Sequence, residues 1–229
     1  MGAPKNASAT PSRGSRGRGV SSFRRWRPRT RRGRASRGAA RRRCGGFGWS
    51  GWISTSSTGE GGGGLGEVVE GMEALVARGQ IRRWGVSNFD VADMEELWRL
   101  PNGRNCATNQ VLYHLGSRGI EFDLMPWMAA RGVPVMAYCP LAQAGKMHGE
   151  IFANNVVRTI AARHHATIPQ LLLAFVIRSG NVIAIPKSGS VAHTMENAGA
   201  DKIELTDEDI RQLDEAFPPP KQKVRLDII

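Results

Sequence analysis

Ser87, Asn88, Gln110, Tyr138, Lys187 and Ser188 are side chains of the types that hold a nucleotide, and each stands where a short apolar run ends. The runs are Trp84-Gly85-Val86-Ser87-Asn88-Phe89, Asn109-Gln110, Ala137-Tyr138-Cys139-Pro140-Leu141 and Ile185-Pro186-Lys187-Ser188. Lys187 and Ser188 precede a helical pattern starting near Val191. They would pair a fixed positive charge and a hydroxyl with the backbone N–H groups of a helix N-terminus, which outlines a phosphate site. Tyr138 offers a flat face on which a heterocycle could stack, while Ser87, Asn88 and Gln110 could hydrogen-bond a carboxamide. Taken singly, each has a plainer account: Lys187 as a solvated loop lysine, Tyr138 as a core aromatic, Asn88 as the N-cap of the next helix. Four strand ends on one rim favour binding, because independent accidents would not choose one rim.

The elements that position these ends alternate helix and strand. Residues 65–79 put Val68, Met72, Leu75 and Val76 on one helical face, with Gly79 as C-cap, and lead into a strand at 81–86. A helix opening at Asp90 carries Met94, Leu97 and Trp98 before Pro101 forbids continuation. A strand at 106–113, a helix at 120–131 and a strand at 133–138 follow. Helical pieces at 151–165 and 169–178 then precede the last strand, 182–185. A helix at 191–199 comes next, and Thr206 caps another whose first turn holds Asp207, Glu208 and Asp209. Runs apolar on both faces, alternating with helices, argue for a parallel sheet with right-handed crossovers. Four strands cannot close a barrel alone, so self-association through open barrel edges is expected.

The formal charge of +12 suggests an anionic partner until the chain is divided. Residues 1–64 carry +14 and residues 65–229 carry −2, so the basic character belongs to the leading segment. That segment has no Leu and 15 of the 28 Gly, a composition that cannot bury enough apolar surface to offset the entropy of ordering it. It is expected to be a disordered Arg/Gly-rich segment, without the apolar stretch of a secretory signal or a membrane span. Cys44, Cys106 and Cys139 are widely spaced, which fits reduced thiols in a cytoplasmic protein. His114, His148, His164 and His165 lack metal-ligand spacing and are expected to be solvated or capping histidines.

In that order and at those intervals, the four strand-end motifs, with Thr108-Asn109-Gln110-Val111 and Glu196-Asn197, resemble the aldo-keto reductases. The likeness covers about residues 65–229. It implies a (β/α)8 TIM barrel, of which these residues would form the last four βα units. It further implies an NAD(P)H-dependent oxidoreductase that reduces aldehydes and ketones. By the same resemblance, Ser87, Asn88 and Gln110 would hold the nicotinamide carboxamide, Tyr138 would stack on its ring, and Lys187 and Ser188 would meet the adenosine 2′-phosphate. Glu196 and Asn197 would face the adenine, and Pro140, Leu141, Gly189 and Ser190 complete the cofactor-binding set. Two positions depart from the family pattern. His193 stands where many members carry an arginine near the 2′-phosphate, so NAD stands beside NADP as cofactor. Cys139 replaces the commoner serine beside the pyrophosphate.

The family's catalytic Asp, Tyr, Lys and His come from the first four barrel strands, and no in-frame segment here resembles them. Residues 51–59 can nevertheless be encoded so that reading one base earlier gives Leu-Asp-Leu-Tyr-Leu-Leu-His-Trp-Arg, which is similar to the family's fourth strand. Residues 41–51 permit Leu-Arg-Arg-Leu in the same way, and residues 23–33 permit Ser-Lys-Val followed by Asn-Ala-Ser-Arg. Three matches in the right order point to an out-of-frame leading segment. The expected protein is therefore a carbonyl reductase by descent, inactive as written because the catalytic tetrad is lacking, with a small carbonyl substrate once the frame is restored. The competing reading is a non-catalytic binding module with a basic arm for nucleic acid, its affinity falling steeply with salt. The absence of a folded recognition element and the sparse aromatics weigh against that arm.

Overall fold

Asp90, Asn154, Thr167, Ser190 and Thr206 each start a helix by accepting hydrogen bonds from its first free N–H groups. Gly79, Gly132 and Gly180, with φ of 67°, 68° and 74°, turn the chain out of helices and toward strands in a conformation that strains any L side chain. These local signals set the alternation. The structure, a computed structural model, describes residues 50–54, 64–142 and 146–228. The expectations for residues 1–49 and 55–63, the basic arm included, lie outside the described residues.

The elements in chain order are β1 (Ser50–Ser54), α1 (Leu65–Ala77), β2 (Arg83–Ser87), α2 (Val91–Arg99), β3 (Asn109–Leu112), α3 (Leu124–Ala129) and β4 (Val135–Tyr138). They continue with α4 (Lys146–Ala153), α5 (Asn155–Arg163), α6 (Ile168–Ile177), β5 (Val182–Ala184), α7 (Val191–Ala198) and α8 (Asp207–Ala216). The strands form one parallel sheet in the order β1-β2-β3-β4-β5. Parallel neighbours in chain order, joined through helices, are the construction of a (β/α)8 barrel, and the described chain is part of one.

Register explains which face is which. Val86, Asn109, Val135 and Val182 are cross-strand partners and are all buried, on the face that packs against the helices. Ser87, Gln110, Met136 and Ile183 form the next row, on the opposite face. That row runs from half-buried polar groups to Ile183 on an edge strand, 41% exposed. The helix-side core joins these strands to Met94, Leu97, Leu124, Met128 and Ile160, and to α6, where Leu171 through Val176 are all buried.

Several expectations change. Residues 1–64 were expected to lack regular structure, yet Ser50–Ser54 pair with Arg83–Ser87 and give the sheet a further strand. The helix expected at 120–131 divides into a 3-10 turn, Gly119–Glu121, and α3. Pro126 accounts for the division: in a continuous helix its ring would meet the carbonyl of Phe122. Phe122 is accordingly exposed rather than in the core. Asn154 splits the piece at 151–165 by capping α5 through Val156 and Val157. On α1 the buried residue is Val69, while Leu75 stays half-exposed.

A polar clamp ties α5 to α8. The Asp209 carboxylate, fully buried, accepts hydrogen bonds from Arg163 at 2.5 Å and from the Thr206 hydroxyl at 2.7 Å, and contacts His164 Nε2 at 2.8 Å. Burial alone would raise its pKa, but the bonds from His164 and Thr206 outweigh burial and hold it at about 2, against an ordinary 3.8. A carboxylate depressed by folding stabilises the fold above its unfolded pKa, and that stability is lost as pH falls through the folded value. Stability should therefore drop between about pH 4 and pH 2. Asp209→Asn should flatten that limb and cost about 2 kcal/mol at pH 7; urea melts across pH measure both, and an unchanged acid limb would contradict the assignment. Among the described residues no single helix is long and apolar enough to cross a membrane.

Candidate functional site

The turn after β2 is the most tightly determined part of the rim. Ser87 Oγ donates to the Gln110 carbonyl at 3.0 Å, and the Asn88 N–H donates to the same oxygen at 2.9 Å. Asn109, fully buried, brackets Phe89: its Nδ2 donates to the Phe89 carbonyl at 2.7 Å and its Oδ1 accepts the Phe89 N–H at 3.4 Å. These bonds hold Asn88 at φ 59°, a left-handed conformation that Asn adopts more readily than most residues. Asn88 Oδ1 is buried and has no hydrogen-bond partner. An acceptor left in that state costs about 1–3 kcal/mol unless a ligand supplies a donor. Gln110 reaches along its row to Met136 Sδ at 3.5 Å.

Two strands along, Tyr138 closes β4 and is buried, in register with Leu112 of β3. Cys139 and Ala142 both have positive φ, and the Ala142 N–H donates to the Cys139 carbonyl, so residues 139–142 form a tight turn in which Pro140 and Leu141 are buried. His148 pins that turn through the Leu141 carbonyl at 3.1 Å and packs on Phe152 at 4.1 Å. Of the two roles expected for this histidine, solvated or capping, the contact to a backbone carbonyl is of the second kind.

Beyond β5, Lys187 is exposed and the next residues build a small cradle at the start of α7. Ser188 Oγ donates to the Ser190 carbonyl at 2.9 Å, Thr194 Oγ1 lies 3.1 Å from Ser188 Oγ, and Ser190 Oγ accepts the His193 N–H at 3.1 Å. Ser188, Gly189, Ser190, Val191, Thr194 and Met195 line a depression of about 340 Å³. His193 is exposed, while Glu196 and Asn197 are half-buried further along α7, with the Glu196 carbonyl accepting from Gln170 on α6 at 2.9 Å.

The candidate residues thus fall in three groups along consecutive strands: Ser87 and Asn88 at the end of β2 with Gln110 beside them; Tyr138, Cys139, Pro140 and Leu141 at the end of β4; and Lys187 through Asn197 beyond β5. Asn109-Gln110, expected as a strand end, instead opens β3, and the stagger between neighbouring strands is what brings Gln110 level with Ser87. Strands lie about 4.8 Å apart, so β2 and β5 are separated by roughly 14 Å, the scale of an extended dinucleotide. Asn109 and Thr194 are contributors that residue type alone does not single out; a buried Asn in an apolar strand row is the sequence signal for the first.

His114 departs furthest from expectation. It is buried, burial pushes its imidazole down to about 4 with Asp227 offsetting only part, and Nδ1 accepts the Gly116 N–H at 3.1 Å. The neutral ring therefore carries its proton on Nε2. It lines a cavity of about 240 Å³ with Leu112, Ser117, Cys139, Met147 and Asp227. The neighbouring Tyr113 hydroxyl donates to Glu121 at 2.5 Å and accepts from Arg178 at 2.7 Å, and burial first of all raises its pKa.

Functional groups gathered at the carboxyl ends of a parallel α/β sheet mark a fold of the barrel or doubly wound nucleotide-binding type. Residues 51–217 match the Aldo/keto reductase family, and the chain belongs to it. Methylglyoxal reductase YeaE of Escherichia coli (strain K12) is 54% identical over 161 residues, covering 70% of this chain and 57% of the relative. Glyoxal reductase of Bacillus subtilis (strain 168) is 33% identical over 143 residues, 62% of this chain and 49% of the relative. The chain thus spans about half the length of the curated relatives it matches. Among solved structures, an aldo-keto reductase from Klebsiella pneumoniae in complex with NADPH shares 55% identity and a TM-score of 0.70, over 72% of this chain and 58% of that one.

Proposed function

We propose that this chain carries the dinucleotide-binding half of an NADP(H)-dependent reductase of small aldehydes and ketones. The observation that carries the reading is the buried Asn88 Oδ1, unpartnered and held at a strand end by a strained turn beside Ser87 and Gln110. Such an acceptor fits the amino group of a carboxamide. Ser87, Asn88 and Gln110 would hold the nicotinamide end, Tyr138 its ring, Cys139, Pro140 and Leu141 the pyrophosphate, and Lys187 with the residues 188–190 cradle the 2′-phosphate. His193 would flank that phosphate, and Glu196 and Asn197 the adenine. A bound reduced nicotinamide supplies the electron pair and hydrogen that a carbonyl carbon accepts. This chain's residues orient the carboxamide, exclude water along the buried rim, and fix the phosphate charge. The names of the YeaE and glyoxal reductase relatives favour a carbonyl of methylglyoxal size.

The proton donor is a separate matter. The sequence has two tyrosines, and the Tyr113 hydroxyl is committed to Glu121 and Arg178. Tyr138 has the stacking position. On this reading the chain as written is a binder without a tyrosine acid to complete reduction, and an out-of-frame leading segment is the proposed reason. Nucleotide sequence across the first codons tests that: no single-base change restoring a Leu-Leu-His-Trp strand would refute it.

For the cofactor, NADPH titration by fluorescence should give a Kd that rises roughly ten-fold in Lys187→Ala, which removes a charge at the phosphate. Tyr138→Ala should raise it by a similar factor, through loss of the stacking face. Unchanged Kd in both variants would reject the assignment.

A further inference from the structure

The last residues of the described chain make a set of contacts that none of the cofactor contacts requires. Lys223 Nζ stands 3.0 Å from Asp90 Oδ2 and 2.9 Å from Asp123 Oδ2. Val224 lies so close over Gly119 that a Cβ there would meet its Cγ2 at 2.6 Å. Leu226 packs against the core, and Asp227 Oδ2 accepts the Ser117 hydroxyl at 2.5 Å. The tail therefore crosses the segments that follow β2 and β3, fastened at each step.

Asp90 gives that crossing its interest. It is the N-cap of α2, two residues after Asn88. Its Oδ1 accepts the Val91 N–H at 2.7 Å, its side chain also takes part in a capping box with Asp93, whose carboxylate accepts the Asp90 N–H at 2.8 Å, and its Oδ2 meets Lys223. Asn88 at φ 59° occupies a left-handed region that Asn tolerates better than most residues but that still costs free energy, so neighbouring contacts help to hold it. From the β3 side, Gln110 and Asn109 hold residues 88 and 89. From the other side the hold passes through Asp90. Without the ammonium, the Asp90 and Asp123 carboxylates that share it would face each other as like charges and push the turn apart.

We propose that Lys223 is a positioning residue: by bridging Asp90 and Asp123 it holds the Asn88–Asp90 turn in its binding geometry, so the tail sets affinity for a nicotinamide nucleotide from outside the pocket. This rests on the nucleotide reading above for its ligand, though not for its geometry. Lys223 is about half-exposed, so its effect is modest and screened by salt.

The test uses the full chain and its Lys223→Met and Lys223→Arg variants. Amide hydrogen exchange without nucleotide should speed up about five-fold at Asn88 and Phe89 in Lys223→Met, with α6 unchanged, and return toward the parent rate in Lys223→Arg. NADPH Kd should rise by the same factor and recover in the same variant. Unchanged exchange at Asn88, or an increase spread evenly over the sheet, would overturn the positioning role. If the parent chain binds no NADPH, the nucleotide reading fails, while the exchange rates still decide whether Lys223 holds the turn.

Discussion

NADPH-dependent reduction of methylglyoxal by the chain as written is expected to stay at background. Carbonyl reduction needs a proton delivered to the developing alkoxide, and general acid catalysis with positioning contributes on the order of 10³-fold or more. The groups proposed to bind the nucleotide do not supply that acid. Tyr113 has the right hydroxyl, but it is buried among Glu121, Arg178 and the Phe175 ring, and its pKa is raised. Under the proposed reading, rebuilding residues 1–64 in the alternative frame and adding the remaining barrel strands should raise turnover at least about 10³-fold. Measurable reduction by the unaltered chain, in a preparation free of host reductases, would refute the expectation.

Arg118→Met should be strongly destabilising. The Arg118 side chain, 5% exposed, gives Nε and Nη2 to Glu121 Oε2 at 3.0 and 2.8 Å, and Nη1 to Asp214 at 2.7 Å and the Phe217 carbonyl at 2.6 Å. It also lies over the Phe175 ring at 5.1 Å. Burial would raise the Glu121 pKa, but bonds from Arg118, Tyr113 and Arg178 hold it below the ordinary value. Removing the guanidinium leaves Glu121 with Arg178 alone as cation, and breaks the link between the β3 loop and the end of α8. Asp214 can rehydrate, which limits the loss to about 3 kcal/mol, or roughly 10 °C in Tm. Arg118→Lys keeps the charge but not the fork and should fall between the two. A Met variant within 1 kcal/mol of the parent in urea melts would show that the lattice is dispensable.

The strand-end motifs were legible because they are local: a strand that stops at small polar residues and opens into a capped helix can be read within ten residues. Thr206 is of this kind, a cap read from the sequence that forms a capping box with Asp209; Thr167 with Gln170 forms another that was not read. What escaped reading depends on distant partners. Asn109 looks like one more polar residue until Phe89 is seen to need both ends of its amide. Lys223 reads as a tail lysine until Asp90 and Asp123 meet around it. Pro126 and Asn154 were readable in principle, as a ring that forbids one continuous helix over 120–131 and a cap inside an apolar pattern. The strand at 50–54 showed only in the alternative frame of residues 51–59, because in frame the flanking composition carries no apolar periodicity.

The order of strands in the sheet is the order of strands in the chain, and this has a kinetic consequence. Ser87 meets Gln110 across 23 residues and Gln110 meets Met136 across 26, so these pairings close short loops, and closure entropy grows only slowly with length. None has to wait for a distant strand to arrive. A chain built this way can assemble by accretion, each βα unit settling on the one beside it, and the contacts that set the rate stay local. The same arrangement lets a partial series of units hold its internal register without the ring being closed.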